Sequence, residues 1–171
     1  MTNLSLINDM TKEQMIETLG HIFEHGDWII ERIVDRRPFT SSEQLWATLE
    51  RLVRTELSME EQRHLLVSHP DLAGRAAETG SLSKNSTAEQ KSAGLDALSS
   101  EEKASFKKFN DAYKEKFGFP FIICVRENKK EAILKGFEIR LQHDVAVELV
   151  TALDQVILIS KLRFSDLFSK M

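Results

Sequence analysis

A histidine followed directly by proline is the first place in this chain where a side chain could do acid–base chemistry. Pro70 restricts the backbone of His69, so the imidazole has a defined direction just beyond the predicted end of a helix. Imidazole exchanges protons near neutral pH, which suits a general acid or base. A histidine at a helix C-terminus is also a common capping residue that interacts with the helix dipole, and position alone favours that interpretation.

Ser86 and Glu89 stand three residues apart, the spacing of a capping box at the start of a helix. In that motif each side chain accepts a hydrogen bond from the other residue's backbone N–H. Capping therefore explains both residues without a catalytic role. A helix start also presents unpaired N–H groups and a partial positive charge, where a substrate carboxylate or an oxyanion can be held. The two roles are compatible, and the spacing leaves both open.

Three further sets of residues have a structural and a functional interpretation. His21 and His25 are four residues apart, a spacing that can hold a metal ion, but no third ligand is evident and we predict no metal site. Cys124 lies in an apolar run without a neighbouring base, which favours a buried, unreactive thiol. Arg163 stands among apolar residues, where an arginine is paired or used in binding unless its side chain snorkels to water.

Apolar residues recur at helical spacing along almost the whole chain, which predicts an all-α fold. Helix starts are marked by cap residues and by pairs of serine with glutamine or glutamate three residues later. Glycine 118 predicts the end of a helix whose aromatic residues, Phe106, Phe109, Tyr113 and Phe117, have core spacing. We expect helices over 11–25 (capped by Thr11) and Trp28–Val34 (capped by Asp27), helices opened by Ser41–Gln44, Ser58–Glu61, Ser86–Glu89 and Ser99–Glu102, one helix with Ile133, Phe137 and Leu141, and one with Leu149, Val150, Leu153, Val156 and Ile157.

Two segments do not fit the helical pattern. Ser68–Ser86 contains Pro70 and two glycines among small polar residues, which predicts a long ordered loop of the kind that often carries function. Phe119–Val125 is a continuous apolar run interrupted by Pro120, and it is typical of a short buried extended crossing. The predicted architecture is a single compact multi-helix domain over 1–171 with a short extended Phe119–Val125 segment.

Composition limits the partners and the location of the chain. It has 171 residues, 42% hydrophobic, with a formal charge of −4 and interleaved charge signs, so we expect no nucleic-acid partner. Met1–Met10 lacks the pattern of an export signal, and no apolar stretch is long enough for a membrane span. With a single cysteine, we expect no internal disulfide and a cytoplasmic protein. The C-terminal Ser169-Lys170-Met171 lacks the final Leu of the peroxisomal tripeptide, which makes that location the less favoured one.

Several polar motifs, in order along the chain, resemble the 2-oxo-4-hydroxy-4-carboxy-5-ureidoimidazoline (OHCU) decarboxylase family. The similarity spans nearly the whole sequence, and the order of the motifs makes it specific. His143 departs from it, because the family is expected to have Asn after Arg-Leu. The motifs are Phe23-Glu24-His25 with Trp28, Arg37-Pro38-Phe39, His69-Pro70-Asp71-Leu72, Ser86 with Glu89-Gln90, Ala93-Gly94-Leu95, Phe109-Asn110, Tyr113, Lys116-Phe117-Gly118-Phe119-Pro120-Phe121-Ile122, Arg140-Leu141 and Leu162-Arg163.

The resemblance implies a compact helical fold and a protein that commonly dimerises. It also implies an enzyme that decarboxylates a small ureidoimidazoline to (S)-allantoin in urate breakdown. It implies no cofactor, because a carbon–nitrogen double bond in the substrate accepts the electrons released with CO2. His69 is then the acid/base with Glu89 as its polar partner, and Arg163 pairs with the substrate carboxylate or a carbonyl. The other implied substrate-binding residues are Pro70, Ser86, Gln90, Phe119, Phe121, Ile122, Ile123, Cys124 and Val125.

A second class of function is compatible with the same residues. In a noncatalytic helical interaction module, the polar residues cap helices and the apolar faces bind partner proteins. The two classes differ in a chemical outcome, because the implied substrate decays spontaneously to racemic allantoin. An enzyme yields one enantiomer faster than this background, and a module leaves the product racemic.

Overall fold

The computed structural model describes residues 3–171, and in that part of the chain all regular secondary structure is helical. The all-α prediction is confirmed. Short 3₁₀ turns occupy Val34–Arg36 and Val125–Glu127, and a π turn occupies Leu52–Glu56. The helices are α1 (Asn3–Asp9), α2 (Lys12–Leu19), α3 (Asp27–Glu31), α4 (Ser42–Arg51), α5 (Met59–Val67), α6 (Arg75–Glu78), α7 (Lys84–Ser92), α8 (Ser100–Phe117), α9 (Lys130–Arg140) and α10 (Val145–Lys170).

The described residues form two compact units, one of residues 3–62 and 160–171 and one of residues 63–159. A single domain over 1–171 stays a prediction. The interpretation of Met1–Met10 falls partly on Met1 and Thr2, which lie outside the described residues. Between residues 3 and 171, no helix has both the length and the apolar character needed to cross a bilayer.

Each unit has its own apolar core. In the unit of residues 3–62 and 160–171, the Trp46 and Phe164 rings pack 5.5 Å apart among buried aliphatic side chains of α2, α3 and α4. In the unit of residues 63–159, the rings of Phe121 and Phe137 stack at 3.8 Å. Burying one such side chain contributes about 1.5–3 kcal/mol. The predicted packing role of the α8 aromatics is confirmed by the burial of Phe106, Tyr113 and Phe117.

Most predicted helix starts are confirmed. Reciprocal capping bonds join Thr11 with Gln14 before α2, Ser58 with Glu61 before α5, and Ser99 with Glu102 before α8. At α4 the serine caps as expected, since Ser41 Oγ accepts from Gln44 N, but the Gln44 side chain accepts from Thr40 N instead of Ser41 N. The predicted end of α8 is also confirmed, because Gly118 has φ 80°.

The expected helix over 11–25 is wrong in its second half. It ends at Leu19, and the chain turns through residues 20–26 with His25 at φ 49°. A Cβ on Gly20 would lie 2.2 Å from Asp27 Oδ1, so the turn depends on close approach of these two residues. Asp27 is the first residue of α3 rather than its cap, and α3 ends at Glu31. Helix α1 was not predicted.

The predicted capping box of Ser86 and Glu89 is also wrong. The N-cap of α7 is Ser83, whose Oγ accepts from Ser86 N at 3.2 Å. Ser86 and Glu89 therefore lie inside the helix, and the expected Ser68–Ser86 loop contains α6 as well as the first residues of α7. The serines at 81, 83 and 86 can each cap a helix. Only Ser86 has a glutamate three residues later, but the helix begins after Ser83.

Candidate active site

His69 lies two residues beyond the end of α5, partly exposed and held by the last turn of that helix. Its backbone N donates to Leu66 O at 3.2 Å, and its Nδ1 lies 2.9 Å from Leu65 O. Because a carbonyl oxygen only accepts, Nδ1 carries the hydrogen of this bond. The bond to Leu65 O confirms the capping interpretation, and it is compatible with acid–base chemistry at Nε2.

The loop after His69 is braced by two longer helices. Gln90 on α7 accepts from Ala73 N at 2.9 Å and donates to Asp71 O at 3.4 Å. Asn110 on α8 donates to Leu72 O at 2.9 Å from a buried position. Ala73 has φ 50°, a conformation that costs a non-glycine residue energy and persists where neighbours hold it. These bonds keep residues 69–73 in one conformation and so orient the imidazole.

A cleft of about 380 Å³ opens beside His69 within the unit of residues 63–159. That volume is in the range of small-molecule sites. Of the side chains implied in binding or catalysis, those of His69 and Phe119 line the cleft. Its walls are Val67, His69, Asp71, Arg75, Ala76, Lys114, Gly118, Phe119 and Pro120.

Two basic residues of the cleft were not singled out from the sequence. Lys114 Nζ lies 2.6 Å from Asp71 Oδ2, so these two charges neutralise each other. Arg75 is exposed, and within residues 3–171 its guanidinium group makes no hydrogen bond or ion pair. Neither spacing nor periodicity distinguishes these residues from ordinary surface charges, which is why sequence reasoning missed them.

The segment from Phe119 to Cys124 is non-helical and largely buried, as predicted, with Cys124 in an extended conformation, and it continues into the 3₁₀ turn at Val125. Some of its backbone groups already have protein partners. Ile122 O accepts from Arg140 Nη1 at 2.5 Å, Cys124 N donates to Gln155 Oε1 at 2.9 Å, and Cys124 O accepts from Asn128 at 2.8 Å. The segment is thus fixed to α9 and α10.

Arg140 belongs to a buried polar network that the sequence indicated only as part of a family motif. Its Nε donates to Glu148, a fully buried carboxylate that also accepts from Tyr113 Oη at 2.5 Å. Burial and the bond to Glu148 raise the pKa of Tyr113, so this hydroxyl keeps its proton. His143 Nδ1 lies 2.9 Å from the second Glu148 oxygen. An asparagine N–H can donate in the same way, so the departure from the family pattern retains a donor.

Cys124 is buried, and burial raises the pKa of its thiol, with smaller contributions from the nearby carboxylates of Glu127 and Glu89. The prediction of a buried thiol is confirmed. The influence of Glu89 also indicates that its half-buried carboxylate lies near the extended segment, and α7 packs against the 3₁₀ turn at Val125–Glu127. Ser86 and Gln90 are buried on the same helix.

Arg163 lies on the part of α10 that belongs to the other unit. It is buried there, and its Nη1 donates to Glu24 Oε1 at 3.3 Å and to His21 O at 3.4 Å. Snorkelling to water is therefore wrong, and the alternative of a paired arginine is confirmed. Over residues 3–171, no three His, Cys, Asp or Glu side chains are grouped as metal ligands.

These features define a helical protein with an open cleft beside a braced histidine. A model of the OHCU decarboxylase family matches residues 8–165. The chain is 38% identical to the 2-oxo-4-hydroxy-4-carboxy-5-ureidoimidazoline decarboxylase of Haloferax volcanii over 97% of its length and 96% of that protein, and 37% identical to that of Xenopus laevis over 97% and 94%. This chain therefore belongs to the OHCU decarboxylase family.

Solved structures agree with this assignment. A crystal structure of (S)-allantoin synthase matches 98% of this chain and 54% of its own, with TM-score 0.75 and 26% identity. An OHCU decarboxylase crystallised in the presence of (S)-allantoin has the same fold, with TM-score 0.71, 21% identity and coverage of 94% and 99%.

Proposed function

We propose that this protein decarboxylates 2-oxo-4-hydroxy-4-carboxy-5-ureidoimidazoline to (S)-allantoin in urate breakdown, without a cofactor. The observation that carries the proposal is His69, a residue of the family's His-Pro motif, standing beside an open cleft with its Nδ1 held by Leu65 O. Two relatives that are 38% and 37% identical to this chain over 97% of its length are named as OHCU decarboxylases.

The chemistry needs little beyond placement and proton transfer. As the carbon–carbon bond to the carboxylate breaks and CO2 leaves, its electron pair forms a double bond to the neighbouring ring carbon. The pair of the adjacent carbon–nitrogen double bond moves onto the nitrogen, which takes a proton. The resulting enol loses its hydroxyl proton, and a proton adds to the ring carbon that carries the ureido group. The net reaction consumes one proton. Protonation from one face yields a single enantiomer, so the protein must fix both the ring and the proton donor.

His69 Nε2 is the atom we propose for these transfers. With Nδ1 bonded to Leu65 O, the neutral ring offers Nε2 as a base, and the protonated ring offers it as an acid. Glu89 is the proposed polar partner, acting on the ring or on ureido N–H groups. Its place inside α7, beyond the capped first turn, means that helix capping does not occupy its carboxylate. Ser86, Gln90 and Pro70 are not among the residues that line the cleft. Their proposed role in shaping the substrate's pocket is supported for Gln90 by its bonds to the loop that follows His69.

Arg163 is proposed to bind the substrate carboxylate or a carbonyl, and its burial beside Glu24 supports a guanidinium held in a fixed orientation. The extended segment is proposed to contact the urea-like edges of the substrate through its backbone. Because Ile122 O, Cys124 N and O, and Val125 O already have partners, this role falls to the remaining backbone groups of the segment.

The test is to generate the substrate in situ from urate with the two upstream enzymes and to follow circular dichroism as allantoin forms. We expect this protein to accelerate product formation and to give one enantiomer. Racemic product at the spontaneous rate contradicts the proposal and favours the noncatalytic module. Boiled protein is the control for the background rate.

A homodimer is also proposed. Val145, Val147 and Val150, at the start of α10, are exposed apolar residues, which supports contact with a second copy. Light scattering after size exclusion tests this, and a monomer at micromolar concentration contradicts it. The cytoplasmic location stays a prediction.

A further inference from the structure

Arg75 is the one cleft residue whose charge has no partner within residues 3–171. The ionisable side chains of the cleft are those of His69, Asp71, Arg75 and Lys114. Asp71 and Lys114 form an ion pair at 2.6 Å, so their charges cancel. The cleft therefore has a net positive charge that comes from Arg75, although the whole chain has a net charge of −4. A positive cleft on an acidic protein favours an anionic ligand.

The loop places Arg75 at the cleft by a close backbone approach. Gly74, just before α6, lies against Asp71, and a Cβ at position 74 would be 2.6 Å from Asp71 Cβ. Gln90 holds both Asp71 O and Ala73 N. The same braced loop thus carries His69 at its start and Arg75 at its end, and it presents both side chains to one cleft.

We propose that Arg75 binds the substrate's carboxylate in the cleft, which leaves the carbonyl as the partner of Arg163. This inference rests on the proposed function, because it needs a carboxylate ligand. Arginine pairs with carboxylates through two parallel N–H bonds, and an exposed guanidinium can form them without breaking an existing ion pair.

The expected effect is on binding rather than on the rate of the bound complex. During decarboxylation negative charge leaves the carboxylate, so a cation at that group stabilises the bound substrate at least as much as the transition state. Such an interaction lowers KM without raising kcat. Because Arg75 is exposed, its attraction should also weaken as salt shortens the range of electrostatic forces.

The experiment compares wild type, Arg75→Gln, Arg75→Lys and Arg51→Gln with in situ substrate. Arg51 is an exposed arginine that pairs with Glu56 in the unit that does not contain the cleft, so its variant makes the same change in net charge without altering a residue of that unit. For Arg75→Gln we expect KM to rise about tenfold with kcat within about twofold, and the fall of kcat/KM between roughly 10 and 200 mM salt to disappear. Arg75→Lys should recover most of the loss, and Arg51→Gln should match wild type.

Inhibition by allantoin adds a readout that a structural role would not produce. Allantoin lacks the carboxylate, so its inhibition constant should be the same for wild type and Arg75→Gln. The inference is overturned if Arg75→Gln keeps the wild-type KM and salt dependence, or if it weakens allantoin inhibition as much as it raises KM. Wild-type protein that yields only racemic product at the background rate overturns the proposed function as well, and this result is seen before any variant is made.

Discussion

The His69 cleft and the Arg140 network lie in the same unit and use similar charged groups in opposite ways. Arg140 and Glu148 are both buried and bonded to other protein groups: Glu148 accepts from Arg140 and Tyr113, and Arg140 also donates to Ile122 O. In the cleft, the imidazole and the guanidinium of Arg75 face a space large enough for a ligand.

The difference follows from desolvation. A buried charge without partners costs several kcal/mol. The loss of one partner from the Arg140 network should therefore lower the stability of the fold. An exposed charge has water as a partner and can exchange it for a ligand. We therefore expect changes in the network to reduce stability and changes in the cleft to reduce turnover, and the variants below test that division.

The largest expected effect is the loss of activity in His69→Asn. Removing a general acid–base group slows the reaction by about 100- to 10,000-fold, and the asparagine amide keeps a donor for Leu65 O. We expect the melting temperature to change little, since His69 is partly exposed. Circular dichroism measures both quantities. A folded variant with near wild-type turnover would remove His69 from the mechanism.

Arg140→Met should give the largest loss of stability. It leaves Glu148 buried without its cation and Ile122 O without its donor, at a cost of about 3–5 kcal/mol in the free energy of unfolding measured with urea. The double variant Arg140→Met/Glu148→Leu should be more stable than the single one, because the uncompensated charge is gone. A single-variant cost below about 1 kcal/mol, typical of a surface pair, contradicts the assignment.

Glu89→Gln should reduce turnover by on the order of a hundredfold while the melting temperature stays close to wild type. The amide has the same shape but lacks the charge proposed to act in the site. Ser83→Ala is the matched control, since it removes the α7 cap that the structure identifies, at about 1 kcal/mol of stability, and should keep turnover per folded molecule. If Glu89→Gln instead lowers the melting temperature and keeps turnover per folded molecule, as expected for Ser83→Ala, then Glu89 stabilises the helix and does not act in catalysis.

The smallest expected effect concerns the surface pair of Glu102 and Lys130, which belongs neither to the His69 cleft nor to the Arg140 network. Lys130 and the Ser99 N–H lower the pKa of Glu102 from 4.5 to about 2. Because the folded value is the lower one, the pair stabilises the protein above pH 4.5, and this contribution is lost as pH falls toward 2. Glu102→Gln should therefore melt slightly lower at neutral pH and lose melting temperature less steeply over that range. Glu101→Gln is the control, and an identical pH dependence for the two variants would speak against the assigned cause.

Features set by residues close in sequence were predicted well. The Thr11, Ser58 and Ser99 caps join groups three residues apart, so the local sequence specifies them. The start of α7 was misassigned because Ser86 has the spacing of a capping box although Ser83 is the cap, and the end of α2 because Gly20 meets Asp27 across a turn. The cleft cations had no local signal at all.

The helical class, the aromatic core of α8, the non-helical segment after Gly118 and the position of His69 beyond a helix end could all be predicted from the sequence. The surroundings of His69 could not, because they depend on tertiary packing. Asn110 reaches Leu72 across 38 residues and Lys114 reaches Asp71 across 43. Backbone hydrogen bonds of helices act within a few residues and are encoded locally, whereas a cleft and a buried ion network depend on which distant segments pack together.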